Sequence, residues 1–116
     1  MNTKKNNKEV QYCETNFPET TKEFKNTLNK MYVTFCEKQH DYGPSNISLG
    51  RDLSIIANRK KSLHGLWFRS NDKLSRVDNI LEQNLSTKNE PLEDSYLDLA
   101  NYSVISLLVK KNLWGK

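Results

Sequence analysis

Two sets of polar residues recur at helical spacing in the C-terminal half of this 116-residue chain. Asp94, Asp98 and Asn101 stand at i, i+4 and i+7, which puts them on one stripe of a helix. Arg69, Asp72, Lys73 and Arg76 stand at i, i+3, i+4 and i+7 on another. The stripes have opposite character. Facing each other they make an interhelical ion-pair network, and structural ion pairs far outnumber active sites, so this is the default arrangement. Facing a cavity they make a nucleotide site. Helical carboxylates hold Mg²⁺, which takes one or two of them plus phosphate oxygens. Arg and Lys then hold the phosphates, Arg through a bidentate fork.

Asp98 is the residue that most needs a partner. Between Tyr96 and Val109 ten of fourteen residues are apolar, the exceptions being Asp98, Asn101, Ser103 and Ser106. Pro91 suits the first helical position, Glu93 and Asp94 suit the positive first turn, and Lys110 and Lys111 complement the far end. A helix over Leu92–Val109, apolar on nearly all sides, is expected to be the most buried in the molecule. An unpaired buried carboxylate costs several kcal/mol, so Asp98 must meet a cation, a metal or a donor network. The stretch is too short and too polar to span a bilayer.

The elements that position these stripes follow from periodicity. Residues 1–16 are polar and read as a flexible tail, leaving 17–116 as one domain. Thr20 and Glu23 have capping-box spacing, and Phe24, Leu28, Met31 and Phe35 recur as an apolar seam, so a helix runs to about His40. His40 to Asn46 contains Gly43 and Pro44 and reads as a shaped loop, in which Asp41, Tyr42 and Asn46 are candidates for function. The same stretch also fits a plain helix-terminating turn. A second helix is expected after Ser48, burying Leu53, Ile56 and Ala57. Gly65 marks a break or a close helix approach. A third helix spans Leu66–Leu85 with Leu74, Val77, Leu81 and Leu85 as its seam, and Ser86–Glu90 is a polar linker. No strand alternation and no internal repeat is present. The expected fold is all-α, a compact bundle of about four helices.

Composition narrows the class. Hydrophobic content of 35% is low for a self-sufficient monomer, so a homo-oligomer, a dimer or larger, is expected. Net charge is +4, with 14 acidic residues against 18 basic ones, which is not the one-sided field of a dedicated DNA-binding domain. Cys13 and Cys36 show neither metal-ligand spacing nor a disulfide framework and suit a reducing cytoplasm. No signal peptide or membrane span is expected. His40 and His64 are too few for a zinc site with these cysteines. Nothing matches a phosphate-binding glycine loop or a dinucleotide fingerprint, and no local signature supports nucleophilic catalysis.

Three blocks carry a family resemblance. They are Lys38 with Asp41-Tyr42-Gly43-Pro44-Ser45-Asn46-Ile47, then Arg69-Ser70-Asn71-Asp72-Lys73-Leu74-Ser75-Arg76-Val77, then Leu92-Glu93-Asp94-Ser95-Tyr96-Leu97-Asp98-Leu99-Ala100-Asn101-Tyr102. In this order they resemble the phage and bacterial nucleotide modification associated domain family, first type. That resemblance implies a small all-helical protein of nucleotide or modified-base metabolism in the cytoplasm (the host's, if phage-encoded). More distantly, the Glu93, Asp94 and Asp98 helix is similar to the second acidic motif of MazG-like nucleotide pyrophosphohydrolases, which hold Mg²⁺ on helical carboxylates and form dimers or tetramers. Their first acidic helix carries Glu-x-x-Glu. Here the first helix offers only Glu37 near its C-terminal end, a departure that weakens hydrolysis more than binding.

The expected partner is therefore a nucleotide or nucleotide-derived small molecule in preference to nucleic acid, with no membrane. Asp98, Asp94 and Glu93 would be catalytic if the protein is an enzyme, with Asp94 and Asp98 as Mg²⁺ ligands for attack of water on a phosphoanhydride. Arg69, Lys73 and Arg76 would hold phosphate. Tyr42 would stack on a base, Asn46 or Asn101 would hydrogen-bond it, and Asp41, Asp72 and Tyr102 complete the candidate ligand-binding set. The alternative is a binder without chemistry that sequesters a nucleotide-derived defence signal. A second alternative is a nucleic-acid-binding accessory protein using Lys4, Lys5, Lys8 and Arg59-Lys60-Lys61, with steep salt dependence.

Overall fold

The computed structural model describes residues 7–83 and 91–116. Among these the fold is all-α, with five helices: α1 (Lys8–Asn16), α2 (Pro18–Tyr42), α3 (Ser45–Ser48), α4 (Ile56–Gln83) and α5 (Leu92–Lys110). Lys4, Lys5, Leu85 and the expected Ser86–Glu90 linker lie outside the described residues. The chain forms two compact units that divide between Thr34 and Phe35, inside α2.

In the first unit, residues 8–16 are helical where the sequence reading expects a tail. The side-chain oxygen of Asn7 caps α1 by accepting the Val10 N–H at 3.0 Å. Lys25 pairs with Glu14 at 2.6 Å, and the rings of Tyr12 and Phe17 meet edge to face at 6.2 Å. α2 begins earlier than the Thr20–Glu23 spacing suggests. Phe17 is the residue at its cap, accepting the Thr21 N–H at 3.0 Å, and Pro18 is the first helical residue. Proline suits that position because its missing N–H would have no helical partner. Of the expected seam, Met31 is buried and Phe35 half-buried, whereas Phe24 and Leu28 are exposed.

The second unit holds the core. Ile47, Leu53, Leu66, Ile105, Val109 and Trp114 form it, with Phe35, Leu63, Tyr102 and Leu108 packed against them. α2 ends at Tyr42, where Gly43 adopts φ +69° and its N–H returns to the Gln39 carbonyl at 2.8 Å, the left-handed glycine termination of a helix. The expected irregular loop contains one helical turn, α3. It carries Ile47 into the core and stops at Leu49, which takes φ 54°. Trp114 donates its indole N–H to the Pro44 carbonyl at 3.0 Å, tying the C-terminal segment to this turn.

α4 corrects the reading most. The two helices expected on either side of Gly65 are one helix, Ile56–Gln83. A Cβ at Gly65 would meet no atom within 4 Å, so this glycine marks neither a break nor a close approach. Helix propensity alone costs about 1 kcal/mol there, which packing elsewhere along α4 outweighs. The helix starts after a turn in which Asp52 accepts hydrogen bonds from the Ser54 N–H at 3.0 Å and its hydroxyl at 2.7 Å. That start buries Leu53 and leaves Ile56 and Ala57 exposed, against expectation. Of the Leu74, Val77, Leu81 seam only Val77 is buried.

α5 covers the expected span and packs on α4. Pro91 precedes it as the capping residue and does not occupy the first helical position. Being apolar all round, α5 was expected to be the most buried helix, yet only Ser95, Ile105 and Val109 are buried, and Tyr96, Val104 and Leu107 are exposed. Its uncovered face lies opposite the core, where this chain supplies too few elements to enclose it.

Candidate functional site

Three helices of the second unit converge on Asp98. Its two carboxylate oxygens are each 3.0 Å from an ammonium, Lys38 Nζ of α2 and Lys73 Nζ of α4. Asp98 and Lys73 are largely covered, while Lys38 is half-exposed. Burial pushes the Asp98 carboxyl up. The hydrogen bonds and charges of Lys73 and Lys38 outweigh that, so its pKa lies below the ordinary carboxylate value. The expected pairing of the two stripes is therefore present at Lys73, joined by a lysine from a third helix.

The rest of the basic stripe makes other contacts. Arg76 Nη1 donates to the hydroxyl of the fully buried Ser95 at 2.6 Å, pinning α4 to α5. Arg69 Nη2 donates to the Asn46 carbonyl at 2.8 Å, holding α3 against α4.

Asp98, Lys38 and Arg69 line an open cavity of about 420 Å³. Its lining comprises Lys38, Gln39 and Tyr42 of α2, Asn46 of α3, Arg69 of α4, and Asp98, Asn101 and Tyr102 of α5, together with the apolar Phe35, Ile47 and Ile105. The volume lies within the usual range of small-molecule sites. Asn46 Oδ1 is buried with no hydrogen-bond partner. An unsatisfied buried acceptor costs about 1–3 kcal/mol, and turning this amide toward a donor in the cavity would recover it.

Six expected residues thus come together: Tyr42, Asn46, Arg69, Asp98, Asn101 and Tyr102 line the cavity. The others do not line it. Lys73 acts on Asp98 from behind and Arg76 is held by Ser95. Asp41 is exposed beside His40 at 3.6 Å, Asp72 and Glu93 are exposed, and Asp94 is half-buried. Lys38 was missed as a site residue. Its place one turn before Tyr42, on the face that follows Phe35, is the signal that could have found it. Among the described residues no group of three or more His, Cys, Asp or Glu side chains assembles as metal ligands. The donor set at Asp98 is an ammonium pair, which does not fit the two-aspartate Mg²⁺ site expected with Asp94.

Residues 38–109 match the family described as nucleotide modification associated domain 1, a span that contains the whole helical framework of the cavity except Phe35. The chain belongs to that family. No curated protein and no solved structure matches the chain. No helix among the described residues is long and apolar enough to cross a membrane.

Proposed function

We propose that the protein binds a nucleotide or nucleotide-derived small molecule in the Asp98 cavity and holds it without cleaving it. The observation that carries this reading is the convergence, inside the family-matched segment, of two tyrosines, three carboxamides and two cations on one cavity of about 420 Å³. Each group suits a part of a nucleotide. Tyr42 and Tyr102 offer aromatic faces to a base. Asn46 and Asn101 offer paired donors and acceptors to its edge. Arg69 and Lys38 offer charge to phosphate, Arg69 with free guanidinium edges beyond its bond to Asn46.

Binding is favoured over hydrolysis because of Asp98. Each of its oxygens already accepts from an ammonium group, and the two positive charges hold the carboxylate as a structural anchor and oppose its use as a base or as a ligand to a cation. A binder of this kind would serve nucleotide or modified-base metabolism, or withhold a nucleotide-derived signal, and it needs no catalytic carboxylate. The exposed apolar residues Trp67, Leu74 and Leu81, seven apart on α4, support self-association as part of the same reading.

Nucleic-acid binding gains little support. Arg59 of the basic run is turned back to the Leu53 and Ser54 carbonyls at 2.8 and 3.3 Å, so it is not presented as a phosphate contact.

A thermal-shift screen of mononucleotides, cyclic nucleotides, dinucleotides and ADP-ribose derivatives, with and without Mg²⁺, tests the reading when every hit is re-extracted and chromatographed. A stabilising nucleotide recovered intact is the expected result. Recovery of cleaved product would replace the binder with a hydrolase, and no stabilisation by any nucleotide would remove the assignment.

A further inference from the structure

A second cavity of about 330 Å³ adjoins the first and shares Asn46, Ile47 and Arg69 with it. Its chemistry is different. Arg51, Lys61, His64 and Arg69 line it, and no carboxylate does. Lys61, His64, Gly65 and Phe68 fall at i, i+3, i+4 and i+7 on α4, so they share one helical face. At the centre of that face Gly65 leaves open space, since a Cβ there would touch nothing within 4 Å. A ligand could therefore approach the helix backbone between the two basic side chains, with the exposed ring of Phe68 as a wall.

Arg51 adds a second, independent sign. Its Nη2 reaches the Ser62 hydroxyl at 3.5 Å, and that hydroxyl donates to the Ile47 carbonyl at 2.9 Å, so the guanidinium is held in place from one side only. Its Nε is buried and has no acceptor. A guanidinium with an unmet donor, in a lining that holds two further permanent cations and no acid, matches an anion with several acceptor oxygens. A phosphoryl group is such an anion, and Arg's planar fork fits it in pairs of hydrogen bonds.

We infer that the second cavity is a phosphate subsite, and that the ligand is a nucleotide whose phosphate chain runs from the first cavity past Arg69 into the second. This rests on the nucleotide reading of the first cavity, and the two can fail separately. Arg69 would lie at the junction, its backbone-directed Nη2 fixing the guanidinium while its other edge meets phosphate. The ligand class that follows is a nucleoside polyphosphate or a phosphate-bridged dinucleotide, in preference to a nucleoside or a free base.

The test is residue-resolved NMR on the full chain labelled with ¹⁵N, using inorganic tripolyphosphate and then ATP as probes. Tripolyphosphate is expected to shift the Arg51 Nε–H signal and the amides from Lys61 to Arg69. Lys61→Gln and His64→Gln, both at exposed positions, are expected to weaken that binding about tenfold when combined, with the melting temperature unchanged. Affinity rising from AMP through ADP to ATP supports the continuous site. If tripolyphosphate moves only signals around Lys38 and Asn101, or moves none, the second-cavity inference is overturned. A nucleotide that shifts Tyr42 and Asn101 with equal affinity whatever its phosphate count also overturns it, and leaves the first-cavity reading standing. Failure of every nucleotide to shift Tyr42 or Asn101 removes the first reading and with it the continuous ligand, even where tripolyphosphate still marks the second cavity.

Discussion

Asp98 of α5 accepts the Lys73 ammonium of α4 on one oxygen at 3.0 Å while its other oxygen is held by Lys38 of α2. One carboxylate thus links three helices directly below a cavity, and its removal leaves two ammonium groups facing each other. Asp98→Asn keeps the shape and removes the charge. It should destabilise the protein by about 1–3 kcal/mol near neutral pH, most of it from the covered Lys73 bond. Urea unfolding of both proteins measures this, and a loss within experimental error would show that the cluster contributes nothing to the fold.

The same pair gives a signed pH dependence. The folded-state pKa of Asp98 is depressed below its unfolded value. Its contribution is therefore present above the unfolded carboxylate pKa, about 4, and is lost as pH falls through the lower folded value. The stability gap between wild type and Asp98→Asn should narrow steadily as pH is lowered below about 4. A gap that stays constant, or widens in acid, contradicts the assignment of the charge to these bonds.

Arg76 and Ser95 provide a structural control. Their 2.6 Å hydrogen bond pins α4 to α5, but neither residue lines the cavity. Ser95→Ala should cost about 1–3 kcal/mol by leaving the guanidinium without this acceptor, and ligand affinity should not change. Calorimetric titration on the variant, alongside its melting curve, separates the two effects.

Much of this arrangement is legible in the sequence alone. The acid within the apolar α5 calls for a cation, a metal or a donor network, and helical spacing offers the stripe of Lys73 as one source, because both arguments depend only on periodicity and on the cost of a buried charge. Lys38 escaped because it belongs to no basic stripe. Its meeting with Asp98 spans sixty positions and depends on how α2 is laid against α5, which local spacing does not encode. The glycine at position 65 misled for a related reason. Propensity marks it as a weak helical residue, but continuous packing of Leu66 and Val77 along α4 overrides one unfavourable position. Conversely, apolar spacing marked Phe24, Leu28, Leu74 and Leu81 as core, and all four are exposed. Periodicity says which residues share a face, not whether this chain covers that face.

The uncovered face of α4 makes its own prediction. Leu66, at 2% exposure, and Leu74, at 56%, lie on the same helix in opposite situations. Leu66→Ala should cost about 2–5 kcal/mol through lost contacts and a residual cavity. Leu74→Lys should leave the fold of one chain nearly intact and shift sedimentation toward the monomer. A wild-type protein that sediments as a monomer at all concentrations would dispose of self-association.

The central claim is that the cavity above Asp98 holds a nucleotide, and Tyr42 tests it most directly because its ring lines the cavity while remaining 64% exposed, so the fold does not depend on it. Calorimetric titration of the best nucleotide from the screen should be run against wild type and Tyr42→Ala. Loss of base stacking predicts a weakening of about 10- to 100-fold, corresponding to roughly 1–3 kcal/mol, with an unchanged melting temperature for the free protein. Equal affinity in the two proteins, or no heat of binding from any nucleotide with wild type, would contradict the account.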